Sequence, residues 1–132
     1  MKVDLAPARV PGFRFSGVRA GLKTAQGAKD VGLIIADHPC AAASVNSANK
    51  VKSASVYVTI ERARSGRLQG VVANSGCANS FTGKAGLKLA KYSCALVARE
   101  LGIAPELVTA LHATRKMRKL RSAATSESSL RC

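Results

Sequence analysis

Two apolar runs stand out along the chain, Val31–Ala36 (VGLIIA) and Leu68–Ala73 (LQGVVA). Both are short, rich in β-branched residues and bounded by polar ones, which predicts buried strands. Gly12–Gly21 alternates small and large side chains and predicts a further strand, Thr24–Asp30 a turn, and Ser44–Lys50 a short strand with a polar edge; Pro39 is expected to end the strand before it. Ser53–Gly66 carries two periods at once. Val56, Val58 and Ile60 alternate as in a strand, while Val56, Ile60 and Ala63 share a helical face. Glu61, Arg62, Ala63 and Arg64 are better helix than strand formers and favour a helix stopped by Gly66.

The longest periodic segment is Lys84–Leu101. Leu87, Ala90, Cys94, Val97 and Leu101 recur every three or four residues, and Gly102 stands just past the end. Pro105 and Glu106 suit the first turn of another short helix through Leu107 and Val108. From Thr109 the apolar period fails and a basic, Ser-rich tail follows, expected to be disordered. The expected fold is α/β, a mixed sheet with helices packed on one or both faces. Residues 1–11 are expected to be irregular, 12–108 to form the folded segment and 109–132 the tail.

At 132 residues the chain has the size of one modest domain, and 47% hydrophobic with 21% charged residues is globular composition. Aromatics make up only 4%, so the core must be built from Val, Leu, Ile and Ala at close helix-to-sheet distances. The net charge of +14 first points to an anionic partner, but before the tail the basic residues are scattered singly. The tail itself has six basic residues and one acidic. Nucleic acid is therefore not the expected partner. Cys40, Cys77, Cys94 and Cys132 fall at no metal-ligand spacing, and His38 and His112 have no companion at one, so neither zinc nor another cofactor is expected. Unclustered cysteines, an N-terminus without a signal-peptide core and the absence of any apolar run long enough to cross a bilayer predict a cytoplasmic protein without a membrane partner.

The densest collection of turn-forming and polar residues is V-V-A-N-S-G-C-A-N-S-F-T-G, Val71–Gly83, set between a predicted strand and the long predicted helix. Such a place can present helix-start amides to a ligand. Gly76 would let the backbone turn sharply, Asn74 and Asn79 could tie the loop to itself, and Thr82 is positioned as an N-cap. No phosphate-loop lysine follows, Ser75 lacks the G-x-S-x-G elbow, and Cys77 beside Gly76 reads as a small filler. The residues alone therefore favour a structural turn and helix start.

Three segments resemble one family in order. Gly12–Leu22 (GFRFSGVRAGL), Asp37–Val56 (DHPCAAASVNSANKVKSASV) and Val72–Gly83 (VANSGCANSFTG) are similar to segments of the ornithine acetyltransferases, also called glutamate N-acetyltransferases or ArgJ; the third resembles the family's N-S-G-x-A-N-x-x-T-G signature. The helix that follows and G-I-A-P-E-L-V extend the likeness to residue 108. The resemblance implies the N-terminal part of the family's layered α/β fold and of its first (alpha) chain. It also implies acetyl transfer from N-acetylornithine to glutamate through an acetyl-threonine, in an assembly of alpha and beta chains forming a heterotetramer. Within it, Asn74, Ser75, Gly76, Asn79, Thr82 and Gly83 are expected to support the active site.

Where the family continues into S-T-G, this chain reads Ala113-Thr114-Arg115. The self-cleavage threonine, a Thr-Gly pair to stabilise the oxyanion and the later substrate ligands have no counterpart here, so no catalytic residue is assigned and these 132 residues are expected to be inactive. The lost pattern at Thr109 predicts a shifted reading frame or a truncation. The rival expectation is a noncatalytic binding fragment whose basic tail engages RNA or an acidic partner.

Overall fold

The computed structural model describes residues 10–23, 27, 29–76 and 82–113. Strands β1 (Phe13–Val18) and β2 (Val31–Ala41) are followed by helix α1 (Ala54–Ala63), strand β3 (Arg67–Ser75), helix α2 (Gly83–Leu101), a single 3-10 turn (Pro105–Leu107) and strand β4 (Val108–Ala113). The four strands form one sheet in the order β1-β2-β3-β4. β1, β2 and β3 are antiparallel neighbours, whereas β4 lies parallel to β3, as a crossover through α2 allows.

Register sorts the side chains onto two faces. Leu33 lies opposite Val72, Ile35 opposite Gly70, and in turn Gly70 and Val72 sit beside Val108 and Ala110. This face carries the core: Ala54 and Val58 of α1 and Ala90, Cys94 and Ala98 of α2 cluster with Val72, Val108 and Ala110. Both helices thus cover the same face of the sheet. Ala90, Cys94 and Ala98 recur at four-residue intervals and are fully buried, so a seam of small side chains brings α2 close to the strands. Gly102 ends α2 in the left-handed conformation at φ 65°, its N–H reaching back to the carbonyls of Ala98 and Arg99.

Several expectations hold in outline: the helix over Ser53–Gly66, the strands over the two apolar runs and the long helix all form. Three need correction. Ser44–Lys50 is not a strand. Its polar side chains take the local backbone and one another instead, with Asn46 Nδ2 donating to Ser44 Oγ, the Asn49 amide to Ser47 Oγ and the Val51 amide to Asn49 Oδ1, and Val45 is left fully exposed. Pro39 does not end β2. It has no amide to give the ladder, the pairing slips between Ile35 and Cys40, and the strand resumes at Cys40 opposite Leu68.

The third correction concerns the segment after α2. Pro105 starts one 3-10 turn rather than a helix, and Val108 is already extended at φ −111° and ψ 130°. Val108 and Ala110 are completely buried against the core, which favours a strand docked on β3 over a further helical turn. The expected boundary at Thr109 therefore falls inside β4. Thr109 Oγ1 and the Ala110 carbonyl meet Thr59 Oγ1 of α1 at 2.8 and 3.3 Å, clasping the strand to the helix. The irregular N-terminus and most of the tail, residues 1–9 and 114–132, lie outside the described residues.

Candidate functional site

β3 runs into the N-S-G sequence at the end of the sheet, where Asn74 pairs with Val31 and the Ser75 amide donates to the carbonyl of Asp30 at 2.8 Å. Gly76 then turns with φ 122°, a backbone that side chains rarely adopt. A Cβ here would lie 2.9 Å from the Leu22 carbonyl oxygen and 3.0 Å from Cγ of Lys23. Both reasons for a glycine, the sharp bend and the close approach, apply at this one position.

The chain that Gly76 touches is held by Asp30. Asp30 is only 3% exposed, and its carboxylate accepts the amides of Ala20 and Leu22 at 2.5 Å and of Lys23 at 3.1 Å. Burial alone would raise its pKa, but the amides of Ala20, Lys23 and Leu22 outweigh it and hold the carboxyl below its ordinary value of 3.8. Asp30 thus binds the β1–β2 connection through its side chain and the N-S-G turn through its carbonyl. Sequence reasoning placed this residue in an ordinary turn. The available signal was an acidic residue directly before a buried apolar run, where a carboxylate can collect the amides of the incoming loop.

Thr82 and Gly83 open α2 and stand apart from that turn. Thr82 occupies the N-cap position, but its side chain makes no capping bond; its carbonyl accepts the Gly86 amide at 3.2 Å. The capping expectation is thereby corrected: at φ −89° and ψ 1° the residue lacks the extended backbone that aims a cap hydroxyl into the first turn. Gly83 and Thr82 border a cleft of about 480 Å³ shared with Lys50, Lys52, Tyr57 and Lys84. Asn79 and Cys77 lie outside the described residues.

Ser75 and Gly76 are therefore gathered with Asp30 and the 20–23 loop it holds, Asn74 with Val31 on the neighbouring strand, and Thr82 and Gly83 with the start of α1. The parallel pairing adds one more neighbour, since Ser75 sits beside Ala113 at the end of β4. The carboxyl ends of two parallel strands so emerge side by side, the end of an α/β sheet at which ligand sites are built. Elsewhere Cys94 is sealed in the core, where burial pushes its thiol up to about 11 and leaves no thiolate for nucleophilic chemistry. Among the described residues no three His, Cys, Asp or Glu side chains could hold a metal ion, and no helix is long and apolar enough to cross a membrane.

Comparison with known proteins gives a consistent result. The family model described as "ArgJ family" matches residues 14–116. The arginine biosynthesis bifunctional protein ArgJ of Desulfotalea psychrophila is 44% identical over 97 residues, covering 74% of this chain and 24% of the relative. That of Symbiobacterium thermophilum is 47% identical over 98 residues, again 74% of this chain and 24% of the relative. The crystal structure of the Bacillus halodurans ArgJ protein superposes with a TM-score of 0.74 at 34% identity, over 83% of this chain and 56% of that one. Ornithine acetyltransferase from Mycobacterium tuberculosis, solved with ornithine, does so with a TM-score of 0.68 at 36% identity, over 77% of this chain and 55% of that one. The chain spans about a quarter of the length of the curated relatives.

Proposed function

This chain belongs to the ArgJ family, and from that premise we propose that it is the N-terminal part of an acyltransferase of arginine biosynthesis, moving an acetyl group from N-acetylornithine to glutamate. The observation that carries the reading is the family match over residues 14–116, which includes the N-S-G turn and the whole of β4. The pairing of Ser75 with Ala113 ends β4 beside the N-S-G turn, and S-T-G follows that strand in the family resemblance.

In this reading a threonine freed by self-cleavage attacks the acetyl carbonyl of N-acetylornithine. Its own α-amine takes the hydroxyl proton, ornithine leaves, and glutamate's amine then collects the acetyl group from the ester. A Thr-Gly pair after β4 supplies donors to the tetrahedral oxyanion. The part of Asn74, Ser75 and Gly76 is support: clamped to the 20–23 loop by Asp30, they fix the end of the sheet from which those donors project. Thr82 and Gly83 start the helix behind them, and Asn79 belongs to the same motif. Partners in this reading are the remaining portion of the enzyme, as alpha and beta chains of a heterotetramer, in the cytoplasm; fungal relatives bear the designation mitochondrial.

Residues 1–132 contain neither the nucleophile nor a Thr-Gly pair after β4, so by themselves they are expected to show no transfer above background. Joining residues 1–113 to the continuation of the Bacillus halodurans relative should restore transfer and leave an acetyl-threonine detectable by mass spectrometry. A chimera that is folded yet inactive, under conditions where the intact relative turns over, refutes the proposal.

A further inference from the structure

β4 is tied to its surroundings on two sides, to β3 by the parallel ladder and to α1 by a pair of hydroxyls. Alternation along a strand sets Thr109 opposite to Val108 and Ala110, yet all three are buried, Thr109 to 3% exposure. The reason is that its hydroxyl turns to the helix. Thr59 Oγ1 lies 2.8 Å from Thr109 Oγ1 and 3.3 Å from the Ala110 carbonyl oxygen. A carbonyl can only accept, so the single proton of Thr59 goes to Ala110 and its oxygen accepts the proton of Thr109. One orientation of the two hydroxyls satisfies both contacts.

Valine has nearly the shape of threonine and would fill either place without a polar group, so packing alone does not account for the pair. What the hydroxyls add is a fixed offset of β4 along α1. The ladder to β3 sets register in whole residues, and the apolar cluster of Val58, Ala90, Cys94 and Ala98 with Val108 and Ala110 is held together by a non-directional force. A hydrogen bond weakens steeply once its angle is lost, and a buried polar pair that is fully satisfied specifies a single arrangement. Ala113 ends the strand beside Ser75, about 13 Å beyond Thr109 at the rise of an extended chain.

We propose that Thr59 is a positioning residue for acetyl transfer: through the Thr109 hydroxyl and the Ala110 carbonyl it sets where β4 ends, and so where the Thr-Gly donors that follow this strand meet the developing oxyanion. The inference rests on the acetyl-transfer reading. Such donors act at about 2.7–3.1 Å from the oxyanion, and a misplacement of about 1 Å can lower a rate about a hundredfold. A strand paired along its length carries a shift at Thr109 to its end as a rigid element. Thr59 takes no part in the chemistry itself; it acts through β4.

The test uses the chimera of residues 1–113 with the Bacillus halodurans continuation, assayed well below the thermal midpoint of each variant. Thr59→Val and Thr109→Val should each lower kcat about tenfold and leave KM within about twofold, and the double substitution should go no lower than either alone, because the two hydroxyls act as one unit. Thr59→Ser keeps the donor and should recover at least about half of kcat. Val58→Ala, next to it in the core, removes packing instead and should lower the midpoint while kcat stays within about twofold. Undiminished kcat in Thr59→Val, an equal loss in Val58→Ala, or no recovery in Thr59→Ser overturns the assignment. In the 132-residue chain Thr59→Val should also speed amide exchange at Leu111, His112 and Ala113 about tenfold and leave Gly32, Leu33 and Ile34 unchanged; exchange unaltered in β4 overturns the assignment too. An unsubstituted chimera that is folded but inactive sinks acetyl transfer, and the exchange result then decides by itself whether Thr59 sets the end of β4.

Discussion

Replacing Asp30 tests the clamp at the end of the sheet. Its carboxylate accepts three amides at 2.5, 2.5 and 3.1 Å, and a single bond to a charged acceptor contributes on the order of 1.5–3 kcal/mol net. The three share one acceptor group and the loop is only part-buried, so water recovers some of the loss. For Asp30→Ala a destabilisation of about 3 kcal/mol is expected, and for Asp30→Asn about 2 kcal/mol, since the amide keeps one accepting oxygen but turns donors toward other N–H groups. On a domain of this size 3 kcal/mol lowers the thermal midpoint by roughly 15 °C. The pH dependence follows from the carboxyl being held below its ordinary 3.8 in the folded chain. The unfolded state then binds the proton more readily, so the contribution is complete above the unfolded value and is lost as pH falls through the lower folded one. Urea unfolding followed by circular dichroism at about pH 7 and at successive steps down to about pH 2 measures both effects. The gap between the native chain and Asp30→Asn should narrow below the unfolded value. A gap under about 0.5 kcal/mol at neutral pH, or one undiminished at the acid end, refutes the clamp.

Gly76→Ala puts a Cβ at 2.9 Å from the Leu22 carbonyl on a backbone with φ 122°, and a loss of about 2–4 kcal/mol is expected in the same unfolding assay; a neutral result would mean that the turn rearranges freely. Val58→Ala, at a fully buried position of α1, should cost about 2 kcal/mol through the cavity it leaves, read from the urea midpoint. Cys94, its thiol raised to about 11, should resist iodoacetamide at about pH 8 in the folded chain and react on unfolding, as peptide mass spectrometry will show. The Lys91–Glu61 pair joins α2 to α1 at 2.7 Å but is nearly half exposed, so Lys91→Ala should change stability by less than about 1 kcal/mol, and any change should shrink in added salt.

How much of this was legible in the sequence depended on whether local pattern and tertiary demand agreed. α2 was readable because its small and apolar residues repeat at helical spacing and a glycine stops it. β4 was not, because Val108–Ala113 is too short for its period to register and becomes a strand only by lying against Gly70 and Val72. Ser44–Lys50 offered strand-like residues, yet the competition of its own side chains for backbone amides is invisible to a period. At the candidate site, the glycine in N-S-G announced a bend. What it bends around could not be read, since Leu22 and Asp30 lie distant in sequence and are brought in only by the pairing of β2 with β3. Asp30 was missed for the same reason: a turn residue and a buried three-amide acceptor look alike until the loop is folded over it.

The parallel pairing of β4 with β3 also bears on how the protein is made. A growing chain can zip β1, β2 and β3 together while the later helix is still being synthesised, but the flank of β3 that accepts β4 must wait for residues far downstream. During that interval an open strand rim and the half-built pocket for Val108 are presented to solvent, the condition under which nascent chains recruit chaperones or mispair with one another. A ribosome-arrest series should register a late gain in folding force when Ala113 clears the exit tunnel.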